Sequence, residues 1–202
     1  MSKINAAITA VHGKVPEKVL SNFDLEKMVD TNDEWITTRT GIKERRYVDD
    51  KLTTSDIATI ASERAIKAAD IDKEKIDYII FAHNFGDVEY GSNQYKMLQS
   101  LASKVKAKLN INNPSCVCYD LIFGCPGWVE GLIHSFAFMK SGIASKCLVI
   151  GSETLSRVVD NHDRDSMIFS DGAGATIIEK VNEKGGIINH KSSTFTLSLI
   201  HI

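Results

Sequence analysis

The sequence predicts an α/β domain built on a mixed, mainly parallel sheet. Three observations carry that expectation. Apolar runs of strand length alternate with stretches of helical periodicity along most of the chain. The run 76–82 is apolar nearly throughout, as a strand covered on both faces would be. The run 117–123 stops at Gly124 and is followed by Cys125, Pro126 and an apolar-periodic stretch to Lys140, which reads as strand, tight turn and helix.

Taken in order, residues 4–11 read as the first strand, and Pro16 interrupts the loop after it. Ser21 or Asn22 caps a helix to about Val29. A second short helix starts near Asn32 and Asp33, carries Glu34, Trp35 and Ile36, and ends at Gly41. The run 53–56 caps the next helix, whose Ile57, Ile60, Ala61, Ala65, Ile66 and Ala69 keep helical spacing. The strand 76–82 leads into a polar, glycine-bearing loop, 83–93. A helix over 94–109 is expected to show a solvated basic face of Lys96, Lys104, Lys106 and Lys108. After the strand 117–123, Pro126 suits the first position of the helix 126–140. That helix is apolar around much of its circumference and so reads as a buried central helix, packed on more than one side across the inner face of the sheet. Residues 146–151 form a strand, and an Asp- and Arg-bearing loop follows. Residues 168–178 read as a glycine-interrupted pair of strands, and Ile187 begins a further candidate strand. Five strands, 4–11, 76–82, 117–123, 146–151 and 173–178, are expected in one sheet with helices on both faces.

The chain has 202 residues, enough for one domain or slightly more, and its 43% hydrophobic content supports a core. A net charge of -2 implies no general attraction to nucleic acid or to an anionic membrane. With no run of transmembrane length and no signal-peptide core at the N-terminus, a cytoplasmic protein is expected. Cys116, Cys118, Cys125 and Cys147 are expected to be reduced, and the three besides Cys125 to be structural. The six histidines show no ligand spacing with them, so no metal site is expected.

Cys125 is the residue on which chemistry would turn. At a helix N-terminus it faces unpaired N–H groups and the positive end of the dipole, which favours the thiolate and makes a better nucleophile. The alternative is a buried structural cysteine, and local sequence leaves both open.

Several stretches together resemble the β-ketoacyl-acyl carrier protein synthase III family of the thiolase-like fold. They are LEKMVDTNDEWITTRTGIKER at 25–45, the Cys125 turn, VIGSE at 149–153, Asp163-Arg164, and FSDGAGA at 169–175. The resemblance covers about 4–179 and implies the N-terminal half of that fold: 1–180 carrying the nucleophile, then 181–202 as the start of the second half plus a tail. It implies an acyltransferase of fatty acid biosynthesis. Acyl-CoA acylates Cys125, and decarboxylative condensation with malonyl-acyl carrier protein gives a β-ketoacyl product. Trp35 and Arg164 match a pair that sandwiches the CoA adenine, since a flat indole and a flat guanidinium can clamp a heteroaromatic ring. Thr31 matches an adenine-contacting position, Arg39 a phosphate-contacting one, and Phe169 an apolar position near the acyl pocket. Trp35 alone reads equally as a core aromatic, Arg39, Lys43, Arg45 and Arg46 as an exposed basic run, and Phe169 as ordinary sheet core. Asp171 is read as organising its turn. The resemblance implies no cofactor beyond acyl-CoA as substrate, and a homodimer at full length.

The match also has gaps. The family's decarboxylating His and Asn belong to a second half that does not appear here, so a truncated chain, inactive in condensation, is expected. The run 194–202 departs from the family pattern. Pro126 stands where the family has Ala, Trp128 replaces a smaller aromatic, and the loop 83–93 is longer, which leaves the starter acyl group open. Two alternatives remain: a related acyl-CoA condensing or acyl-transfer enzyme of secondary metabolism, and a non-catalytic partner subunit. The retention of Cys125 argues against the last.

Overall fold

In the computed structural model, which describes residues 5–92, 94–96, 98–181 and 185–195, helices and strands alternate along the chain. The order is β1 (Asn5–Lys14), β2 (Lys18–Ser21), α1 (Asn22–Leu25), α2 (Asp33–Thr40), β3 (Glu44–Tyr47), α3 (Thr54–Ala69), β4 (Tyr78–Ala82) and β5 (Asp87–Val88). It continues with β6 (Tyr95–Lys96), α4 (Leu101–Lys108), β7 (Val117–Leu121), α5 (Gly127–Lys140), β8 (Lys146–Glu153) and β9 (Gly172–Val181). Five strands make one sheet in the order β1-β9-β8-β4-β7. β4 pairs parallel with both β7 and β8, while β9 runs antiparallel between β8 and β1. Only β9 is reversed, so the sheet is mixed and mainly parallel, and the five expected strands are its members. The start of the first at Ile4 lies outside the described residues.

The two-residue period of a strand divides the core into two layers. Ile79 and Phe81 of β4 and Leu148 and Ile150 of β8 point towards α3 and α4. Ile80, Cys147 and Val149 point to the other face, towards Met139 of α5. Local chemistry sets the helix ends. Asn32 caps α2 by accepting from the Trp35 N–H at 2.7 Å, and Gly41 closes it at φ 72°. Thr53 and Asp56 form a capping box at the start of α3.

Several expectations need correcting. Helix α1 ends at Leu25, not near Val29. Helix α4 begins at Leu101, not Gln94, because Ser100 caps it and both Asp120 carboxylate oxygens accept from the N–H groups of Leu101 and Ala102, at 2.7 and 2.9 Å. Residues 95–96 instead pair with β5, inside what read as a loop. The lysines of α4 are not simply solvated: Lys104 meets Asp87 at 3.0 Å, Lys106 donates to the Cys116 carbonyl at 2.9 Å, and Lys108 meets Asp56 at 2.6 Å. The region 168–178 is not a pair of strands but the end of a 3-10 turn, Arg164–Ile168, and the single strand β9. The antiparallel β2–β3 pair, closed across α1 and α2, was not anticipated. Ile187 forms no strand among the described residues, although its N–H reaches the Ala6 carbonyl at 2.8 Å. Of the run 194–202, residues 196–202 lie outside the described residues.

Helix α5 starts at Gly127 with Pro126 as its N-cap, one residue later than expected. Its buried residues are Gly127, Gly131, Ser135 and Met139, every fourth position, so a single stripe lies on the sheet. A Cβ on Gly131 would come within 2.7 Å of Val149 Cγ1, which shows how closely the backbones approach. The remaining apolar side chains of α5 are half-buried or exposed, so within this chain the helix packs across the sheet on one side.

Candidate active site around Cys125

Cys125 sits in the turn between β7 and α5, exposed to solvent. Gly124 before it adopts φ 70°, a conformation that L side chains rarely tolerate, and this bend brings the chain back over the sheet. The Gly127 N–H closes the turn on the Gly124 carbonyl at 3.0 Å. Asn84, after β4, clamps it from the side: its Oδ1 accepts from the Gly124 N–H at 3.1 Å. Asn84 is itself held by Glu153 at the end of β8. One carboxylate oxygen, Oε2, accepts from the Asn84 backbone N–H at 2.8 Å and from its Nδ2 at 3.1 Å. Burial pushes the Glu153 carboxyl above its ordinary range, opposed by those hydrogen bonds.

Cys125 opens on a cleft of roughly 370 Å³, lined also by His83, Asn84, Trp128, Glu153 and Gly172. Both ring nitrogens of His83 are engaged. Nδ1 accepts from the Gly86 N–H at 3.0 Å, which leaves Nε2 to donate to Asp120 at 3.0 Å. His83 is therefore a buried structural histidine rather than a free base beside the thiol. Trp128 is anchored by its Nε1–H to Thr176 Oγ1 at 3.0 Å, and it lies so close over Gly151 that a Cβ there would meet Trp128 Cβ at 3.3 Å. Asp171 accepts from the Val48 N–H at 2.8 Å and the Ser156 N–H at 2.9 Å, an organiser of its turn as the sequence suggested.

The other cysteines are less accessible, Cys116 and Cys147 buried and Cys118 half-buried. Cys147 is fully buried and its thiol is pushed up to about 12 by that burial. Cys118 is also pushed up, first by its hydrogen bond with Cys116 and then by burial.

The second feature is a stack on α2. The Arg164 guanidinium carbon lies 3.9 Å from the Trp35 ring centroid, and that of Arg39 lies 4.7 Å from it. A cleft of roughly 290 Å³ runs alongside, lined by Asn32, Glu34, Trp35, Thr38 and Arg39. The Thr31 hydroxyl, just before it, is buried without a hydrogen-bond partner. The structure thus brings Trp35, Arg39 and Arg164 together, and puts Cys125 in a separate cleft. One segment joins the two: Arg164 begins a 3-10 turn, half-buried Phe169 follows it, and 170–172 line the Cys125 cleft. Arg45, read as part of an exposed basic run, is instead 1% exposed, whereas Arg46 pairs on the surface with Glu44 at 2.6 Å. Sequence reasoning missed Asn84, Glu153 and the buried Arg45. Among the described residues, no group of three His, Cys, Asp or Glu could hold a metal ion, and no helix is long and apolar enough to cross a membrane.

The family model for 3-Oxoacyl-[acyl-carrier-protein (ACP)] synthase III matches residues 119–195. A β-ketoacyl-[acyl-carrier-protein] synthase III of Caldanaerobacter subterraneus subsp. tengcongensis is 44% identical over 187 residues, 92% of this chain and 54% of that protein. One from Fusobacterium nucleatum is 46% identical over 172 residues, 85% of this chain and 49% of that protein. The crystal structure of 3-oxoacyl-[acyl-carrier-protein] synthase III from Aquifex aeolicus superposes with a TM-score of 0.79 at 39% identity, covering 89% of this chain and 55% of that one. A priming β-ketosynthase from the R1128 polyketide pathway superposes with a TM-score of 0.80 at 26% identity, covering 90% and 52%. The chain spans about half the length of the curated relatives it matches. By sequence and fold the chain is similar to 3-oxoacyl-[acyl-carrier-protein] synthase III proteins over about half of their length, and its sheet and helices share their thiolase-like α/β architecture.

Proposed function

We propose that this chain carries the nucleophile and the CoA-contacting residues of a β-ketoacyl-[acyl-carrier-protein] synthase III. One observation carries the reading: an exposed cysteine on a glycine turn at the head of a sheet-packed helix, in a cleft, while Cys116 and Cys147 are buried and Cys118 is half-buried. Cys125 Sγ attacks the acyl-CoA carbonyl, a C–S bond forms, and CoA leaves as its thiol once protonated. The Cys125 N–H is one donor to the oxyanion. Malonyl-acyl carrier protein then loses CO₂, its α-carbon attacks the acyl carbonyl, and the Cys125 sulfur leaves, releasing a β-ketoacyl product. The decarboxylating groups are assigned to no residue of this chain, and His83 has no free ring nitrogen for that role.

Trp35 and Arg164 clamp the adenine, Arg39 meets a phosphate, the Thr31 hydroxyl contacts the adenine, and Phe169 borders the acyl site. At 3.9 Å the Trp35–Arg164 stack leaves no gap for a ring, which needs about twice that spacing, so Arg164 swings out as the adenine slides in. The protein works in the cytoplasm as a homodimer, with acyl-CoA as substrate and no separate cofactor, and binds neither nucleic acid nor membrane.

A second reading, a related condensing enzyme with a starter other than acetyl, is favoured by Trp128 in the cleft and by likeness to a priming ketosynthase. Competition among acyl-CoAs of increasing length for Cys125, read by peptide mass, separates the two. Preference for acetyl supports the first, and preference for a longer or branched acyl group supports the second.

A further inference from the structure

Among the described residues, the largest side chain fully withdrawn from solvent is a guanidinium. Arg45, on β3, is 1% exposed. Its Nε donates to the Met167 carbonyl, its Nη1 donates to Asn22 Oδ1, and its Nη2 has no partner. Among the described residues no carboxylate pairs with it. Such a charge is costly to bury, and an apolar side chain of similar volume would hold the fold as well or better. Stability therefore does not account for it.

What it connects does. Met167 belongs to the 3-10 turn Arg164–Ile168, which begins with the arginine lying on Trp35. Asn22, also 1% exposed, turns its Nδ2 to Asp33 Oδ1 at 2.7 Å, to the Ile42 carbonyl at 2.8 Å and to Thr37 Oγ1 at 3.3 Å. Those three contacts span the start, the middle and the exit of α2, the helix that carries Trp35 and Arg39. Beneath them Leu25, Ile36 and Met167 form an apolar cluster against which Trp35 packs. A fixed planar fork with two donors in use ties the turn of Arg164 to the helix of Trp35.

We propose that Arg45, acting through Asn22, is a positioning residue that sets the spacing between Trp35 and Arg164 and so the geometry of the adenine clamp. Arg45 touches no ligand itself. The proposal rests on the reading of Trp35 and Arg164 as CoA-binding residues. Methionine at 45 fills the volume without the hydrogen bonds. Lysine keeps the charge, but a single ammonium cannot reproduce the fork.

The test compares the full chain with its Arg45→Met and Arg45→Lys variants, each checked for fold by far-UV circular dichroism. Titration with CoA is expected to show binding weakened about tenfold or more, the scale of loss for a misplaced contact group. Iodoacetamide, which carries no nucleotide, is expected to alkylate Cys125 at the wild-type rate. Folded variants that bind CoA as the wild type does overturn the proposal. If Arg45→Met does not fold, Arg45→Lys decides by the same readouts. If the wild-type chain binds no CoA, the CoA reading falls, and tryptophan fluorescence decides the positioning. The change caused by Arg164→Ala is expected to vanish in an Arg45 variant, and an undiminished change refutes the role given to Arg45.

Discussion

Cys125 differs from its three companions in access, not in residue type. It is exposed, whereas Cys116 and Cys147 are buried and Cys118 is half-buried. Iodoacetamide at neutral pH is therefore expected to modify Cys125 first, with Cys147, pushed to about 12, reacting only on unfolding. Peptide mass spectrometry against time reads the order. Asn84 holds the turn through a solvent-exposed hydrogen bond to the Gly124 N–H, so Asn84→Ala is expected to cost about 0.5–1.5 kcal/mol of stability. The same variant should slow acylation of Cys125. Unchanged melting and unchanged acylation would remove Asn84 from the account. Glu153 brings a pH dependence. Because its folded carboxyl is raised from 4.5, its contribution is complete below that ordinary value and is lost as pH rises through the folded value. The stability of the wild type relative to Glu153→Gln should thus decline as pH climbs above about 4.5, and a flat difference in melting temperature would contradict it. At this scale the exposed turn position of Cys125 and the closeness of Trp35 to Arg164 were legible as placement, because turn chemistry and motif mark them. Asn84 and Glu153 were not, since their partnership spans 69 residues and loop positions have no period. Arg45 was misread because charged neighbours surround it. Strand alternation turns it inwards while Glu44 stays exposed.

Among the elements, α5 matters most, because it fixes where Cys125 stands. Its sheet-facing stripe begins with the small residues Gly127, Gly131 and Ser135, and the tight approach at Gly131 is the reason. An alanine there would gain about 1 kcal/mol of helix propensity but would drive a methyl into Val149, a stiff and fully buried side chain 2.7 Å away. Overpacking of that kind costs about 1–3 kcal/mol, so Gly131→Ala is expected to lower the melting temperature on balance. A rise in melting temperature would mean that β8 yields more readily than its packing implies. The stripe was not legible from composition: an all-round apolar pattern does not reveal which side lies on the sheet. The start of α4 escaped for another reason. Besides its N-cap Ser100, the first two N–H groups are taken by Asp120, 19 residues downstream of Leu101, and only the folded chain brings these together.

Over the whole molecule, the sheet was the most readable feature. Long apolar runs bury both faces, and Ile79, Ile80, Phe81, Leu148, Val149 and Ile150 are all 0% exposed. The short β2–β3 and β5–β6 ladders escaped because four- and two-residue strands carry too little pattern. The segment from Arg164 to Gly172 joins two clefts, one holding the Cys125 thiol and the other proposed above for the nucleotide. Replacing either Trp35 or Arg164 by alanine should then raise the acyl-CoA concentration needed for half-maximal acylation while leaving the saturated rate nearly unchanged. The central claim is that Cys125 is the acyl acceptor. Its most direct test is incubation of the purified chain with acetyl- and longer acyl-CoAs, followed by intact mass and peptide mapping. One acyl group on the peptide containing Cys125, absent in Cys125→Ser, is the predicted result. Acylation of Cys116, Cys118 or Cys147 with Cys125 left free, or labelling undiminished in Cys125→Ser, would contradict it.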